Sequence, residues 1–88
     1  MKITKKNGNI ALYDDEKVKK SILSANTQLA EETISSRTAE TLSNEVFDRL
    51  SRGDAIITTA EVRACVYELL QERGFPLTAA RYWEYKKA

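Results

Sequence analysis

The sequence predicts an α+β fold, mainly α: a four-helix bundle capped by a small two- or three-stranded β-sheet. Three observations lead there. Asn7-Gly8 lies between short apolar runs near the N-terminus, and Asn and Gly tolerate best the positive φ that a two-residue type I′ hairpin turn requires. Four later segments repeat apolar residues every three or four positions, the period of amphipathic helices. Helices of this length cannot hide their apolar stripes alone, so they bury them against one another.

Taken in order, Ile3 to Lys6 and Asn9 to Leu12 are expected to pair as antiparallel strands around Asn7-Gly8. Asp14 or Asp15 then caps a first helix, from about Asp14 to Thr27, whose apolar stripe is Val18, Ile22, Ala25 and Leu29. Glu31-Glu32 and Ser35-Ser36 read as a polar connection whose serines cap the second helix. That helix runs from about Arg37 to Ser51 with Ala39, Leu42, Val46 and Leu50 inward, and Arg52-Gly53-Asp54 ends it through a glycine C-cap. In this setting R-G-D is a helix stop, not an adhesion signal. Ala55 to Ile57 is β-branched and apolar enough to add a third strand. Thr58 and Glu61 form a capping box that opens the third helix, where Val62, Cys65, Val66, Leu69 and Leu70 make the most regular core face. Gly74 and Pro76 end it, and a last helix spans Leu77 to Lys87 with Tyr82, Trp83 and Tyr85, read mainly as packing aromatics.

Bulk properties narrow the function classes. The 88 residues read as one domain, residues 1–88, with a simple core and room for one site. A net charge of +1 is not the strongly basic profile of a general nucleic-acid binder. The charge is nevertheless uneven: residues 1 to 20 hold six lysines against three acids, whereas residues 31 to 54 hold three arginines against six acids. One end therefore attracts anions. With no histidine and a single cysteine, Cys65, the residues for a zinc site, for His-based catalysis and for an internal disulfide are lacking. Cys65 sits at helical core spacing and reads as a small packed residue in a reducing compartment. No apolar leader or long apolar run occurs, which predicts a soluble, cytoplasmic protein.

The anion-attracting end has a specific layout. The hairpin places Lys5 and Lys6 beside the N-terminus of the first helix, which brings Lys17 with it. A helix N-terminus offers N–H groups and partial positive charge, so the corner suits a polyphosphate. Lysine in a first turn opposes the helix dipole, so Lys17 is placed there against its structural preference. Lys19 and Lys20 read as solvated-face lysines.

These residues resemble the ATP-cone domain, a regulatory nucleotide-binding module of ribonucleotide reductases and of the repressor of their genes. The resemblance rests on three blocks in order: Ile3-Thr4-Lys5-Lys6-Asn7-Gly8 with Lys17, then Ile57-Thr58-Thr59-Ala60-Glu61-Val62, then Ala80-Arg81-Tyr82-Trp83-Glu84-Tyr85-Lys86. Together they cover nearly the whole chain. The resemblance implies a four-helix bundle under a three-stranded sheet, with ATP or dATP between them and Mg²⁺ carried by the nucleotide. It also implies roles. Ile3 matches the apolar position near the adenine; Lys5, Lys6 and Asn7 match the residues that hold ribose and phosphates; Lys17 matches a phosphate-binding lysine. Thr59 matches the threonine opening the third helix, and Arg63 stands one turn later, facing the same pocket. Two positions depart from the family pattern. Lys6 stands where Arg is usual and lacks its bidentate fork, and Ala11 stands where a polar residue often follows the turn.

Two function classes follow. In the first, the chain is a regulatory ATP/dATP-binding domain that acts allosterically without hydrolysis. Its partners would then be an adenine nucleotide, a ribonucleotide reductase catalytic domain or subunit, or a second copy in a nucleotide-dependent homo-oligomer, with no membrane and no nucleic acid. No G-x-x-x-x-G-K-[ST] loop is present, and no pair of carboxylates near the lysines reads as able to place a metal and a water. In the second, it is a helical interaction module whose basic corner docks nucleic acid or an acidic protein. Steep salt dependence marks the second, and discrimination of ATP from other triphosphates at fixed salt marks the first. The end at Lys86-Lys87-Ala88 reads as a domain cut, and the zinc ribbon of the repressor form is not in the sequence.

Overall fold

A computed structural model describes residues 1–5, 7–53 and 57–87. Three strands and four helices follow in the order β1 (Lys2–Thr4), β2 (Ile10–Leu12), α1 (Asp15–Asn26), α2 (Ser36–Ser51), β3 (Ile57–Thr58), α3 (Thr59–Glu72) and α4 (Pro76–Lys87). The fold is α+β and mainly helical. The sheet has the order β2-β1-β3. β1 pairs antiparallel with β2, Ile3 opposite Ala11, and parallel with β3, Ile3 opposite Ile57.

The hairpin forms where expected but with a wider tip. Lys5 N–H donates to Asn9 O and Gly8 N–H to Lys5 O, so the reversal is not a two-residue turn centred on Asn7-Gly8. Gly8 has φ +85°. The Asn7 side chain accepts the Asn9 N–H at 3.0 Å, closing the short turn that Asn favours. Lys6 lies outside the described residues, as do Asp54, Ala55, Ile56, Ala88 and the Tyr85, Lys86 and Lys87 side chains.

Each of the first three helices begins on a local side-chain cap. Asp14 Oδ1 accepts the N–H groups of Glu16 and Lys17, Ser35 Oγ accepts Thr38 N–H, and Thr58 Oγ1 accepts Glu61 N–H. Thr58 has two tasks, since it also ends β3; among the described residues the third strand is Ile57–Thr58, one residue past the expected end at Ile57, while Ala55 and Ile56 lie outside them. α1 stops at Asn26, and Gln28 at φ 63° turns the chain away, so Leu29 lies in the connection and not on the α1 stripe. α2 ends without the expected left-handed glycine: Arg52 is its cap and Gly53 lacks a positive φ. α3 does end on one. Gly74 has φ +88°, its N–H donates to Gln71 O, and Phe75 N–H donates to Leu70 O, the paired bonds of a Schellman motif.

α4 begins at Pro76, one residue earlier than expected, because the missing proline N–H costs nothing at the first helical position. Phe75 has no side-chain acceptor for the next amides. Glu32, only 8% exposed, takes over: its carboxylate accepts Leu77 N–H at 2.8 Å and Thr78 N–H at 2.7 Å. Asn26 joins this junction, donating to Glu32 O and Thr78 Oγ1 while accepting Ile34 N–H. A connection read as merely polar therefore holds a buried carboxylate that ties it to α4.

α1 packs against α2 and α4, and α3 packs against the same two helices. Val18, Ile22 and Ala25 of α1 meet Ala39, Leu42 and Val46 of α2, Val66, Leu69 and Leu70 of α3, and Ala79 and Tyr82 of α4. Ile22 and Leu70 have no exposed surface, and burying such a side chain stabilises by about 1.5–3 kcal/mol. Across the outside, Arg49 grips Glu72 through two 2.9 Å bonds and Arg73 pairs with Glu45, linking α2 to α3. These pairs are largely solvated, so they fix orientation more than they add stability. Among the described residues, no helix is long and apolar enough to cross a membrane.

Candidate functional site

A cavity of about 560 Å³ opens where the sheet meets the first turns of α1 and α3. Its walls come from segments far apart in sequence. The β1 end gives Ile3, Thr4 and Lys5; β2 and its exit give Ala11 to Asp14; α1 gives Lys17, Val18 and Ser21. The β3–α3 junction gives Thr58, Thr59, Ala60, Val62 and Arg63, and α4 gives Tyr82. The register explains part of this set, because Ile3 and Ala11 are cross-strand partners and share a face. Helical spacing explains another part: Lys17 and Ser21, like Thr59 and Arg63, lie four apart on one helix face.

Of the residues singled out in the sequence, the structure brings Ile3, Lys5, Lys17, Thr59 and Arg63 to this one cavity. Asn7 is not among its walls and is engaged in the hairpin tip, and Lys6 lies outside the described residues. The expected role of α1 changes as well. The N–H groups of Glu16 and Lys17 are occupied by Asp14, and Asp15 and Glu16 add acids to the first turn. Anion attraction from α1 thus comes from the Lys17 side chain rather than from these amides.

The cavity combines cationic and apolar walls. Lys5 and Lys17 are exposed side chains on its border. Arg63 is half-buried, its guanidinium 3.8 Å from the centroid of the Trp83 ring, and Trp83 in turn packs on Tyr67 at 5.0 Å. Stacking of this kind holds the cation in place without neutralising it. Arg63 Nε is buried with no hydrogen-bond partner among the described residues. Asp14 is the acidic wall residue, and its Oδ1 is committed to the α1 cap. Ile3, Ala11, Val18 and Val62 supply the apolar surface.

Two tyrosines missed as site residues complete the walls. Tyr13 donates its hydroxyl to Ser43 O at 2.9 Å, and Ser43 Oγ donates to Asp15 O at 2.8 Å, so Tyr13 is locked onto α2. Its ring also meets Phe47 at 5.5 Å. Tyr82 is 4% exposed, and burial pushes its phenol up to about 12 against the opposing charge of Arg63. It is therefore a neutral hydroxyl at ordinary pH, able both to donate and to accept. An aromatic at core spacing on a terminal helix carries no local sign that it also borders a cavity. By contrast, Cys65 is half-buried, burial pushes its thiol up, and it does not line the cavity, in keeping with a packing role.

Apolar walls, a stacked arginine and bordering lysines set uncharged surface beside positive charge in one cavity. Compared with known protein families, the chain matches the ATP cone domain over residues 1–88. Comparison with curated proteins finds no match. ATP-cone domains are regulatory, not catalytic, and bind ATP or dATP. Because the match spans its full length, the chain belongs to the ATP-cone family of nucleotide-binding regulatory domains.

Proposed function

We propose that residues 1–88 act as a single regulatory domain whose cavity binds ATP or dATP without hydrolysing it, and that occupancy controls the activity or assembly of a ribonucleotide reductase. The observation that carries this reading is the convergence of Ile3, Lys5, Lys17, Thr59 and Arg63 on one cavity from β1 and its end, α1 and α3. A volume of about 560 Å³ falls within the roughly 300–1,000 Å³ range of small-molecule sites. In this reading Lys5, Lys17 and Arg63 hold the phosphates, with Lys6 and Asn7 acting from the hairpin tip. Ile3 and Thr59 contact the nucleoside.

Mg²⁺ would arrive on the nucleotide's own phosphates. The cavity's carboxylate, Asp14, gives its Oδ1 to backbone N–H groups, and no cluster of three metal-binding side chains occurs among the described residues. Regulation would pass to a reductase catalytic domain or subunit, or to a second copy of this chain, through a change in association. Calorimetric titration with ATP, dATP and GTP at fixed ionic strength tests the binding step. Saturable binding of ATP and dATP with weaker binding of GTP is expected; equal binding of all three reduces the site to a phosphate patch. Activity of a reductase catalytic subunit mixed with this chain, measured with and without dATP, tests the regulatory step.

A further inference from the structure

We propose that the Tyr82 hydroxyl is a nucleoside-recognition group of the cavity, reading the uncharged part of the ligand while the lysines hold its phosphates. The inference rests on the nucleotide-binding reading above and adds a residue that the sequence assigns to packing. Tyr82 lines the cavity, yet its side chain is almost wholly enclosed, with 4% exposure. A buried phenol normally finds a hydrogen-bond partner. Tyr13, the other tyrosine of the cavity, does so through Ser43 O. Tyr82 makes no hydrogen bond to the described residues, and the cavity it lines is the open space beside it.

Its neighbours decide which part of a ligand it meets. Val18 and Val62 share both the cavity wall and the apolar core cluster with Tyr82, which offers a heterocycle or sugar an apolar surface, while Arg63 is its cationic neighbour. The hydroxyl is also held still. α4 is fixed at its start by Glu32, and Ala79, one turn before Tyr82, has no exposed surface. A preorganised group loses little freedom on binding, so its hydrogen bond contributes to affinity.

Tyr82→Phe removes the oxygen and keeps the ring, and titrations with ATP and with inorganic tripolyphosphate separate the two parts of the ligand. The expected result is about three- to tenfold weaker ATP binding with tripolyphosphate binding changed by less than about twofold, the scale of one neutral hydrogen bond. The melting temperature of the unliganded variant should match the parent, since the hydroxyl has no partner within the described protein. Lys17→Ala, as the opposite control, should weaken both ligands. ATP binding unchanged in Tyr82→Phe overturns the inference, and so does equal weakening of both ligands or a lowered unliganded melting temperature, which mark a packing role. Failure of the parent chain to bind ATP overturns the nucleotide reading itself and this inference with it.

Discussion

Glu32 caps the helix that begins at Pro76: its carboxylate accepts the Thr78 N–H at 2.7 Å from 46 positions away in sequence. The same carboxylate takes Leu77 N–H, and Asn26 bridges the Glu32 carbonyl to Thr78 Oγ1, so three segments meet in one enclosed polar junction. Removing the carboxylate leaves two helix-start amides without acceptors, that of Thr78 buried and that of Leu77 partly so. We expect Glu32→Ala to destabilise the chain by about 1.5–3 kcal/mol in urea unfolding, the range for hydrogen bonds to a charged group. A loss below about 0.5 kcal/mol would show that water replaces the cap without cost.

The same junction sets an acid limit. Burial alone would raise the Glu32 carboxyl, but the Leu77 and Thr78 N–H groups and the Thr78 hydroxyl outweigh it and hold the group below its ordinary value of 4.5. A carboxyl depressed in the folded state contributes stability that is fully present above its unfolded value and lost as pH falls through the folded value. Unfolding free energy of the parent chain should therefore decline below about pH 4.5 more steeply than that of Glu32→Gln, which cannot titrate there. Parallel acid profiles for the two proteins would remove Glu32 from the account.

Two glycines that look alike in sequence behave differently, and substitution should expose this. Gly53 and Gly74 each follow an arginine at a helix end, but only Gly74, at φ +88°, occupies the left-handed region. Open space surrounds the Cβ position at Gly74, so the cost of alanine there is backbone strain, about 1 kcal/mol or more. Gly53→Ala meets nothing closer than Leu50 O at 3.7 Å and should lie within about 0.5 kcal/mol of the parent. Equal losses in the two variants would contradict the assignment of the caps.

That contrast shows where the sequence is legible. Asp14, Ser35 and Thr58 serve amides two or three residues ahead, so local chemistry reveals them. The same holds for the hairpin and for a third strand that includes Ile57. The wider hairpin tip depends on which backbone groups pair across it, and the end of α2 on whether the chain needs a left-handed residue there; composition answers neither. Glu32 on Thr78 and Tyr13 on Ser43 are bonds across 46 and 30 positions, invisible until the helices are docked. In the candidate site, Lys5, Lys17, Thr59 and Arg63 stand out by charge or by place in a motif, whereas Ser21, Tyr13 and Tyr82 belong to it only through the packing of α1 and α4.

The lysines give a direct test of the cavity. Lys5→Ala and Lys17→Ala should each weaken ATP binding by about 1.5–3 kcal/mol, the scale of a charge-assisted hydrogen bond, with the fold retained because both side chains are exposed. Lys19 lies two residues along α1 from Lys17 and is not part of the cavity wall, so Lys19→Ala should be nearly silent. Titration calorimetry on the three variants decides the matter; a Lys19 effect as large as that of Lys17 places the ligand elsewhere.

Nucleotide and stability should be linked. A ligand that binds only the folded chain adds RT ln(1 + [L]/Kd), about 2.7 kcal/mol at a hundredfold excess, which in a domain this small raises the melting temperature by several to about fifteen degrees. The gain is expected to need both halves of the ligand. AMP lacks the phosphates that Lys5 and Lys17 would hold and should shift the midpoint weakly, while sulfate at equal ionic strength offers charge without a nucleoside and should do less still. ATP and dATP with Mg²⁺ should produce the full shift. GTP is the sharpest control, because it carries the same triphosphate on a base whose edge presents a different order of donors and acceptors to the cavity's polar groups. A midpoint raised equally by GTP and ATP means that the lysines and Arg63 supply the whole attraction, and adenine recognition would then have to be withdrawn from the site.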